Sequence, residues 1–474
     1  MKVLFIEPPK DIWFVMGEYL PPPYGIIQLA AYLEREVKDA RIEILDCNAQ
    51  QIDWPSLEKE IETSDPDIVA SSSLATCNTY VVARTLATAK KVNSKILTVA
   101  GGQHFTATAQ DSLEEYPEID AIVRGEGEQT LTELVKNASK KSAYPEINGI
   151  SFRHKEQIVN NPPRPLIEDL ESLPFPGYHL VKDIVHKYHF AAMAGRRDLP
   201  YQLVEGSRGC SHECTFCTQW RHWQGRWRVK SAGRIADEME FCYQRFGGRF
   251  LWLTDDNLGA GSRAEELADE IIARKMPDLW WFVQARCDDI VKNKDVLPKL
   301  RRSGLRWVLL GVENSELSTL DDFKKGISPG DAKEAVKLLK KHDIFGHAMF
   351  IIGNRRDSRE SIARMRRFLN ELDPDFAIFA ILTPFPGSEI YEEAKRNGWI
   401  QDTNWANYDM VHAIMPTETL TTKEVQEELY RCYRTFYGSW NRRLSGMFSR
   451  NELKRRVFLH MASRGIIRQL KNLF

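Results

Sequence analysis

Cys210, Cys214 and Cys217 stand in one short loop, Arg208-Gly209-Cys210-Ser211-His212-Glu213-Cys214-Thr215-Phe216-Cys217. A C-x3-C-x2-C loop offers three thiolates close enough to hold one small inorganic group. It lacks the fourth ligand of a closed site. Structural zinc takes four ligands in a tetrahedron, and most iron–sulfur clusters take four cysteine thiolates. Three thiolates on a cubane cluster leave one iron free to bind something that reacts. A partial zinc site and three unrelated buried thiols are the plainer readings. The other five cysteines (Cys47, Cys77, Cys242, Cys287 and Cys432) are scattered and read as small buried hydrophobes.

The elements that must position this loop follow a strand–helix rhythm. Tyr201–Glu205 reads as a strand running straight into it. Further strands read at Phe250–Leu253, Trp280–Gln284, Trp307–Gly311, Gly346–Ile352 and Phe376–Leu382, each preceded or followed by a helical pattern. Six βα units over residues 201–400 describe a partial (β/α)6 TIM-like barrel, and such barrels keep their active sites at strand C-termini. The residues there are Asp255, Asp256 and Asn257, then Arg286, then Glu313. The acidic groups suit an ammonium or ribose hydroxyls, and the Arg286 fork matches a carboxylate. The same charges also suit helix caps after each strand.

Residues 1–140 repeat the rhythm with short apolar strands at Lys2–Ile6, Arg41–Leu45, Asp67–Ser71, Ile96–Ala100 and Ala121–Val123. This is the pattern of an α/β, doubly wound, Rossmann-like parallel sheet, which binds ligands beyond its strands' carboxyl ends. Tyr24, Gly25, Ser72, Leu74, Gly101, Gly102, His104, Gly125 and Glu126 fall in the lip segments. Glycines there let backbone approach a flat or phosphate-bearing ligand. No G-x-G-x-x-G follows the first strand.

Residues 141–200 read as a proline-rich strap joining the two units, with His179, His186 and His189 as junction or surface residues. Residues 401–474 read as a helical end. From 431 onward it holds eleven Lys or Arg against one acid, Glu452, and its apolar residues (Val457, Phe458, Leu459, Met461, Ile466, Ile467, Leu470) are spaced for helices. Such an end packs on its own barrel or docks on an anionic membrane or acidic protein.

With 474 residues the chain has room for two or three cores. Its net charge of −1 argues against a generic nucleic-acid binder. Eight cysteines, three of them in one loop, argue for a reducing cytoplasm rather than a disulfide scaffold. No stretch reaches the roughly 20 apolar residues that span a bilayer, and Glu7 interrupts the N-terminal apolar run.

The cysteine loop, with Phe216 just before its last cysteine, resembles the cluster loop of the radical S-adenosylmethionine (SAM) enzymes. The segments PPPYGIIQLAAYLE, GGQHFT and DAIVRGEGEQTLTEL resemble the cobalamin-binding domain that precedes the cluster domain in one large group of that family. The run from Thr218 to Arg228, three tryptophans among three arginines, resembles the branch holding anaerobic Mg-protoporphyrin monomethyl ester cyclases and C-methyltransferases. The resemblance implies a [4Fe–4S] cluster on Cys210, Cys214 and Cys217, with SAM held near Phe216, Asp255, Asp256, Asn257, Arg286 and Glu313. It also implies cobalamin on the N-terminal lip. The D-x-H-x-x-G loop by which many cobalamin proteins offer histidine to cobalt is absent, which implies base-off cobalamin. The implied activity is methylation of an unactivated carbon in a peptide side chain, lipid or natural product, through methylcobalamin and a 5′-deoxyadenosyl radical. A radical cyclase or oxygenase is the alternative. An electron donor such as flavodoxin or ferredoxin is the implied partner.

Overall fold

The computed structural model describes residues 1–10, 19–155, 157–190 and 200–464. Its N-terminal sheet has the order β2-β1-β3-β4-β5-β6-β7. The strands are β1 (Lys2–Glu7), β2 (Arg41–Asp46), β3 (Ile68–Ser72), β4 (Leu97–Gly101), β5 (Ala121–Val123), β6 (Ile150–His154) and β7 (Gln157–Asn160). The first five pair in parallel, and the last two add an antiparallel hairpin. The four central residues of β1 are all buried, as helices on both faces of a parallel sheet require. The doubly wound sheet read over residues 1–140 is thus present. Part of the segment read as a strap extends it, because Ile150, Ser151 and Phe152 are buried against β5. The strand order reverses between β1 and β3, which opens a crevice at their carboxyl ends.

The second unit is a six-stranded parallel sheet, ordered β15-β14-β13-β12-β11-β8. Its first strand is β8 (Tyr201–Val204), followed by the short pair β9 (Ser207–Arg208) and β10 (Arg228–Val229). Then come β11 (Phe250–Leu253), β12 (Trp280–Arg286), β13 (Leu305–Glu313), β14 (Phe345–Ile352) and β15 (Phe376–Ile381). This is the partial barrel the sequence describes. Strands β12 and β13 run two residues past the expected Gln284 and Gly311, which puts Arg286 and Glu313 on the strands themselves. Three helices between strands begin at side-chain caps. Ser231 caps Ala232–Phe246, which ends in left-handed Gly247, and Ser328 and Ser358 form capping boxes. Phe250, Phe282 and Trp307 stack across neighbouring strands near their amino ends, Phe282 and Trp307 with centroids 4.1 Å apart, and fill the barrel floor.

An incomplete barrel leaves two edge strands, and unpaired backbone there must find partners. Tyrosine hydroxyls supply them on both sides. At β8, the Tyr178 hydroxyl donates to the Leu203 carbonyl (2.9 Å) and accepts from its N–H (2.7 Å), while Tyr24 accepts from Glu205 N–H (3.2 Å). At β15, Tyr433 binds both backbone groups of Phe379 (2.9 and 3.2 Å), and Tyr437 both of Ala377 (2.6 and 3.1 Å). Four residues of the helix Thr422–Tyr437 rise about 6 Å, and two strand residues span about 6.6 Å. The two hydroxyls therefore meet alternate strand residues.

Beyond this helix, Trp440–Met447 and Glu452–Arg464 cross where Gly446 meets Phe458, so closely that a Cβ would lie 2.3 Å from the ring. Arg442 and Lys454 pair with Asp373 and Asp375 of the barrel. Part of the basic end is thus spent on the chain's own acids, while Trp440 and Phe448 remain exposed. Ile466, Ile467 and Leu470 lie outside the described residues. Among the described residues no helix is long and apolar enough to cross a membrane.

Candidate functional site

Strand β9 pairs antiparallel with β10, Arg208 opposite Arg228. The cysteine loop and the aromatic–basic run are therefore two halves of one excursion from a ribbon. Gly209 opens it at φ +91°, where a Cβ would lie 2.0 Å from the Arg226 carbonyl oxygen. Only glycine fits there. On the barrel side Thr215 N–H donates to Phe323 O (3.1 Å), its hydroxyl to Asp322 O (3.1 Å), and Ile390 N–H donates to Thr215 O (3.1 Å). Trp220 Nε1 donates to Cys214 O (3.2 Å).

The three thiols are free. Burial raises all of them, Cys217 up to about 12. Lys325 and Arg286 oppose that rise at Cys214. Among the described residues no three His, Cys, Asp or Glu side chains close round a single ion. A cluster several atoms across takes a wider spread of ligands than one ion does. Three free sulfurs with two cations beside them form a donor set suited to an anionic, thiolate-held cluster with one position left open.

The rim residues separate into framework and open groups. Asp255 Oδ1 accepts from Gly206 N–H (2.8 Å), and its other oxygen pairs with Arg263. Asn257 accepts from Arg286 N–H (3.1 Å) and donates to Asp289 (2.6 Å). Both are spent on the frame. Asp256 stays half-buried beside the loop, and burial with the charges of Asp255 and Glu205 pushes it to about 7, against a hydrogen bond from Gly209 N–H. Arg286 donates through Nε to Asp288 (3.0 Å) and through Nη2 to Lys325 O (2.6 Å), while buried Nη1 has no partner among the described residues. Such a donor asks for an acceptor. Glu313, at φ +62°, accepts from Lys325 Nζ (2.7 Å). Phe216 packs edge-on to Phe323 at 5.1 Å, with Lys325 Nζ 6.0 Å from its ring centre.

On the N-terminal lip, Gly102 sits at φ +93°, where a Cβ would lie 2.3 Å from Ser73 O, and Gly25 and Gly125 have open space at that position. Leu74, just past β3 at the crevice, is 73% exposed. Ser72 and Gly101 end β3 and β4 and are paired with each other. Bare backbone beside an exposed apolar side chain fits a broad, largely apolar ligand face such as a corrin. His104 is buried with Nδ1 3.4 Å from Thr76 Oγ1, and its ring packs edge-on to Phe105 and to Trp405 of the C-terminal segment. Burial lowers it to about 4, so it is neutral at pH 7. Two other lip residues are turned to different tasks: Tyr24 to the barrel edge, and Glu126 to the joint described next.

The lip and the cysteine loop meet. Arg208 donates to Glu126 (2.7 Å), Glu128 (2.6 Å) and Glu205 (3.0 Å), all buried or nearly so. Arg228 donates to Glu126 (3.0 Å) and Ile167 O (2.5 Å). Trp223 lies under both guanidiniums, 5.8 and 5.4 Å from its ring centre. Trp227 covers Gly259, where a Cβ would meet its ring at 2.5 Å. The aromatic–basic run is the packing of this joint. Gln103 completes it by bonding to Thr218 (3.2 Å) and Gln219 (2.8 Å). Sequence reading placed Gln103 and Glu128 in the lip segments and Arg228 in the aromatic–basic run without these contacts, and it missed Arg208 and Lys325. The one available signal was opposite charge at two sets of strand ends, Glu126-Gly127-Glu128 against Arg208.

Comparison with known proteins agrees with both halves. Residues 15–135 match the B12 binding domain, and residues 204–369 the radical SAM superfamily. An uncharacterised methyltransferase of Pyrococcus horikoshii is 32% identical over 92% of this chain and 92% of its own. The anaerobic magnesium-protoporphyrin IX monomethyl ester cyclase of Cereibacter sphaeroides is 31% identical over 92% of this chain and 70% of its own. The chain belongs to the cobalamin-binding radical SAM family. The fold agrees: a radical SAM methyltransferase from Kitasatospora setae, TsrM, solved with cobalamin and a [4Fe–4S] cluster bound, superposes with a TM-score of 0.71 over 100% of this chain and 99% of that one, at 16% identity. The cofactors of this cobalamin-binding radical SAM enzyme are accordingly cobalamin, SAM and a [4Fe–4S] cluster, and the family draws its electron from a separate reductant.

Proposed function

We propose that this enzyme is a C-methyltransferase acting on an unactivated carbon of a peptide side chain, lipid or natural product. The observation that carries the reading is the direct meeting of the cobalamin lip with the cysteine loop, because methyl transfer needs both cofactors at one cavity. When bound, the three groups supply reductive SAM cleavage and methyl carriage. The protein supplies placement and exclusion of water.

In this reading Cys210, Cys214 and Cys217 hold the cluster, and Lys325 and Arg286 offset its negative charge. Arg286 Nη1 takes the SAM carboxylate, half-buried Asp256 faces the ammonium or ribose, and the Phe216 ring borders the adenine. Asp255, Asn257 and Glu313 hold these groups in place rather than contact the ligand. Ser72, Leu74, Gly101, Gly102 and Gly125 line the corrin, with Gly25 at the lip. His104, neutral and bonded to Thr76, stays in the lip's packing, which suits base-off cobalamin. The electron comes from a flavodoxin or ferredoxin in a reducing cytoplasm. The first domain runs to about residue 160, since β6 and β7 belong to its sheet, and the later divisions fall at about residues 200 and 400.

A radical cyclase is the second reading, supported by the likeness to the magnesium-protoporphyrin ester cyclase. Anaerobic reconstitution tests the shared premise. One [4Fe–4S] cluster per chain and retained cobalamin with a base-off Co(II) spectrum are expected. Protein that never holds cobalamin, even in excess, overturns both readings.

A further inference from the structure

Gln103 follows Gly102 on the cobalamin lip, and its side-chain amide crosses to the cysteine loop. Its Nε2 donates to Gln219 Oε1 (2.8 Å), and its Oε1 accepts from the Thr218 hydroxyl (3.2 Å). Gln219 N–H in turn donates to Cys217 Sγ (3.4 Å). The polarity of the chain is set from outside. The Trp223 indole can only donate, and it donates to Gln219 Oε1 (3.1 Å). Gln219 Oε1 is therefore the acceptor in this pair, and Gln103 must meet it with its N–H end. The chain is anchored at both ends. Gly102 has no room for a Cβ against Ser73 O, and Trp223 is held beneath Arg208 and Arg228.

We infer that Gln103 is a positioning residue that couples cobalamin occupancy to the cluster, resting on the cofactor placement above. A ligand settling on Gly101-Gly102 fixes the start of the helix Gln103–Ala107. Through Thr218 and Gln219 that fixes the last turn of the cysteine loop and the N–H···S bond at Cys217. Hydrogen bonds to cluster sulfurs are one of the protein's means of tuning cluster potential. Binding coupled in this way is reciprocal: whatever the cluster does for cobalamin affinity, cobalamin does equally for the cluster.

The test titrates hydroxocobalamin into full-length protein, reconstituted with its cluster or stripped of iron by chelation, and records the EPR signal of the reduced cluster with and without cobalamin. Wild-type protein is expected to bind cobalamin at least about 5-fold tighter with the cluster present, and its cluster signal is expected to shift on cobalamin addition. Gln103→Leu keeps the side-chain bulk but cannot bond to Thr218 or Gln219. It should still bind both cofactors, with the affinity ratio near one and no cobalamin-dependent shift. Gln103→Glu keeps the acceptor for the Thr218 hydroxyl but faces Gln219 Oε1 with a second acceptor, and should lower the ratio below wild type. A wild-type ratio near one overturns the inference, and so does a Gln103→Leu ratio equal to wild type. Failure of wild-type protein to bind cobalamin at all removes the proposed function, and this inference falls with it.

Discussion

Arg208 stands two residues before Cys210 and donates to Glu128 of the N-terminal sheet at 2.6 Å. One guanidinium thus ties the root of the cysteine loop to the lip that faces it. Burial alone would raise the Glu128 carboxyl, but the charge of and hydrogen bond from Arg208 outweigh it and hold the group below its usual range.

Removing Arg208 should leave Glu128 and Glu205 without their ion-pair partner and Glu126 with Arg228 alone. Arg208→Ala is expected to destabilise the apoprotein by about 3–5 kcal/mol, and Arg208→Lys should recover little, since one ammonium cannot reach three carboxylates. The Glu128 contribution is fully present above the usual carboxylate pKa and is lost as pH falls through the lower folded value. Urea unfolding from pH 7 to pH 3 should show that loss in wild type and a weaker one in Arg208→Ala. Equal midpoints for the two proteins at pH 7 would contradict the joint.

Arg286→Lys should separate SAM binding from cluster binding. The free Nη1 offers a hydrogen bond to a charged acceptor, worth about 1.5–3 kcal/mol, so SAM affinity should fall roughly 10- to 150-fold. Cluster absorbance should stay at the wild-type level. Equilibrium dialysis with labelled SAM reads the first and the visible spectrum the second. Unchanged SAM affinity would return Arg286 to a purely structural role.

Much of this site was legible from residue types, for identifiable reasons. The cysteine loop announces itself because three thiols in eight residues have few other uses. The parallel strands announce themselves because burial on both faces demands unbroken apolar runs such as VLFI in β1. Gly102 was legible as a lip glycine, although its reason, the Ser73 carbonyl 2.3 Å from any Cβ, belongs to tertiary packing. Asp255 and Asn257 could not be told from ligand-binding groups, because their partners, Gly206 N–H and Asp289, are distant in sequence. Glu126 and Tyr24 pointed to the lip by position, yet their polar atoms serve the second unit. The role of Gln103 arises only when two units meet, and that of Lys325 only when the barrel brings it to Glu313 and Cys214.

Tyr437→Phe should expose how the open barrel protects its edge. The change strips Ala377 of partners for its N–H and carbonyl while leaving the ring in place. A loss of about 1–3 kcal/mol is expected, and Tyr433→Phe with Tyr437→Phe should lose roughly twice that and aggregate more readily on heating. Denaturant unfolding with light scattering reads both. A double variant as stable as wild type would mean that the helix Thr422–Tyr437 protects β15 by apolar packing alone.

The central claim, methyl transfer at a shared cobalamin–cluster cavity, is tested most directly with methyl-deuterated SAM. Reconstituted enzyme, cobalamin, a low-potential reductant and anaerobic extract as the source of acceptor are incubated together, and the small-molecule products are quantified. One S-adenosylhomocysteine and one 5′-deoxyadenosine should appear for each deuterated methyl group recovered in a lipid, peptide or small molecule. Formation of 5′-deoxyadenosine with S-adenosylhomocysteine at background, and no deuterium in any acceptor, would contradict methyl transfer and leave the cyclase reading in its place.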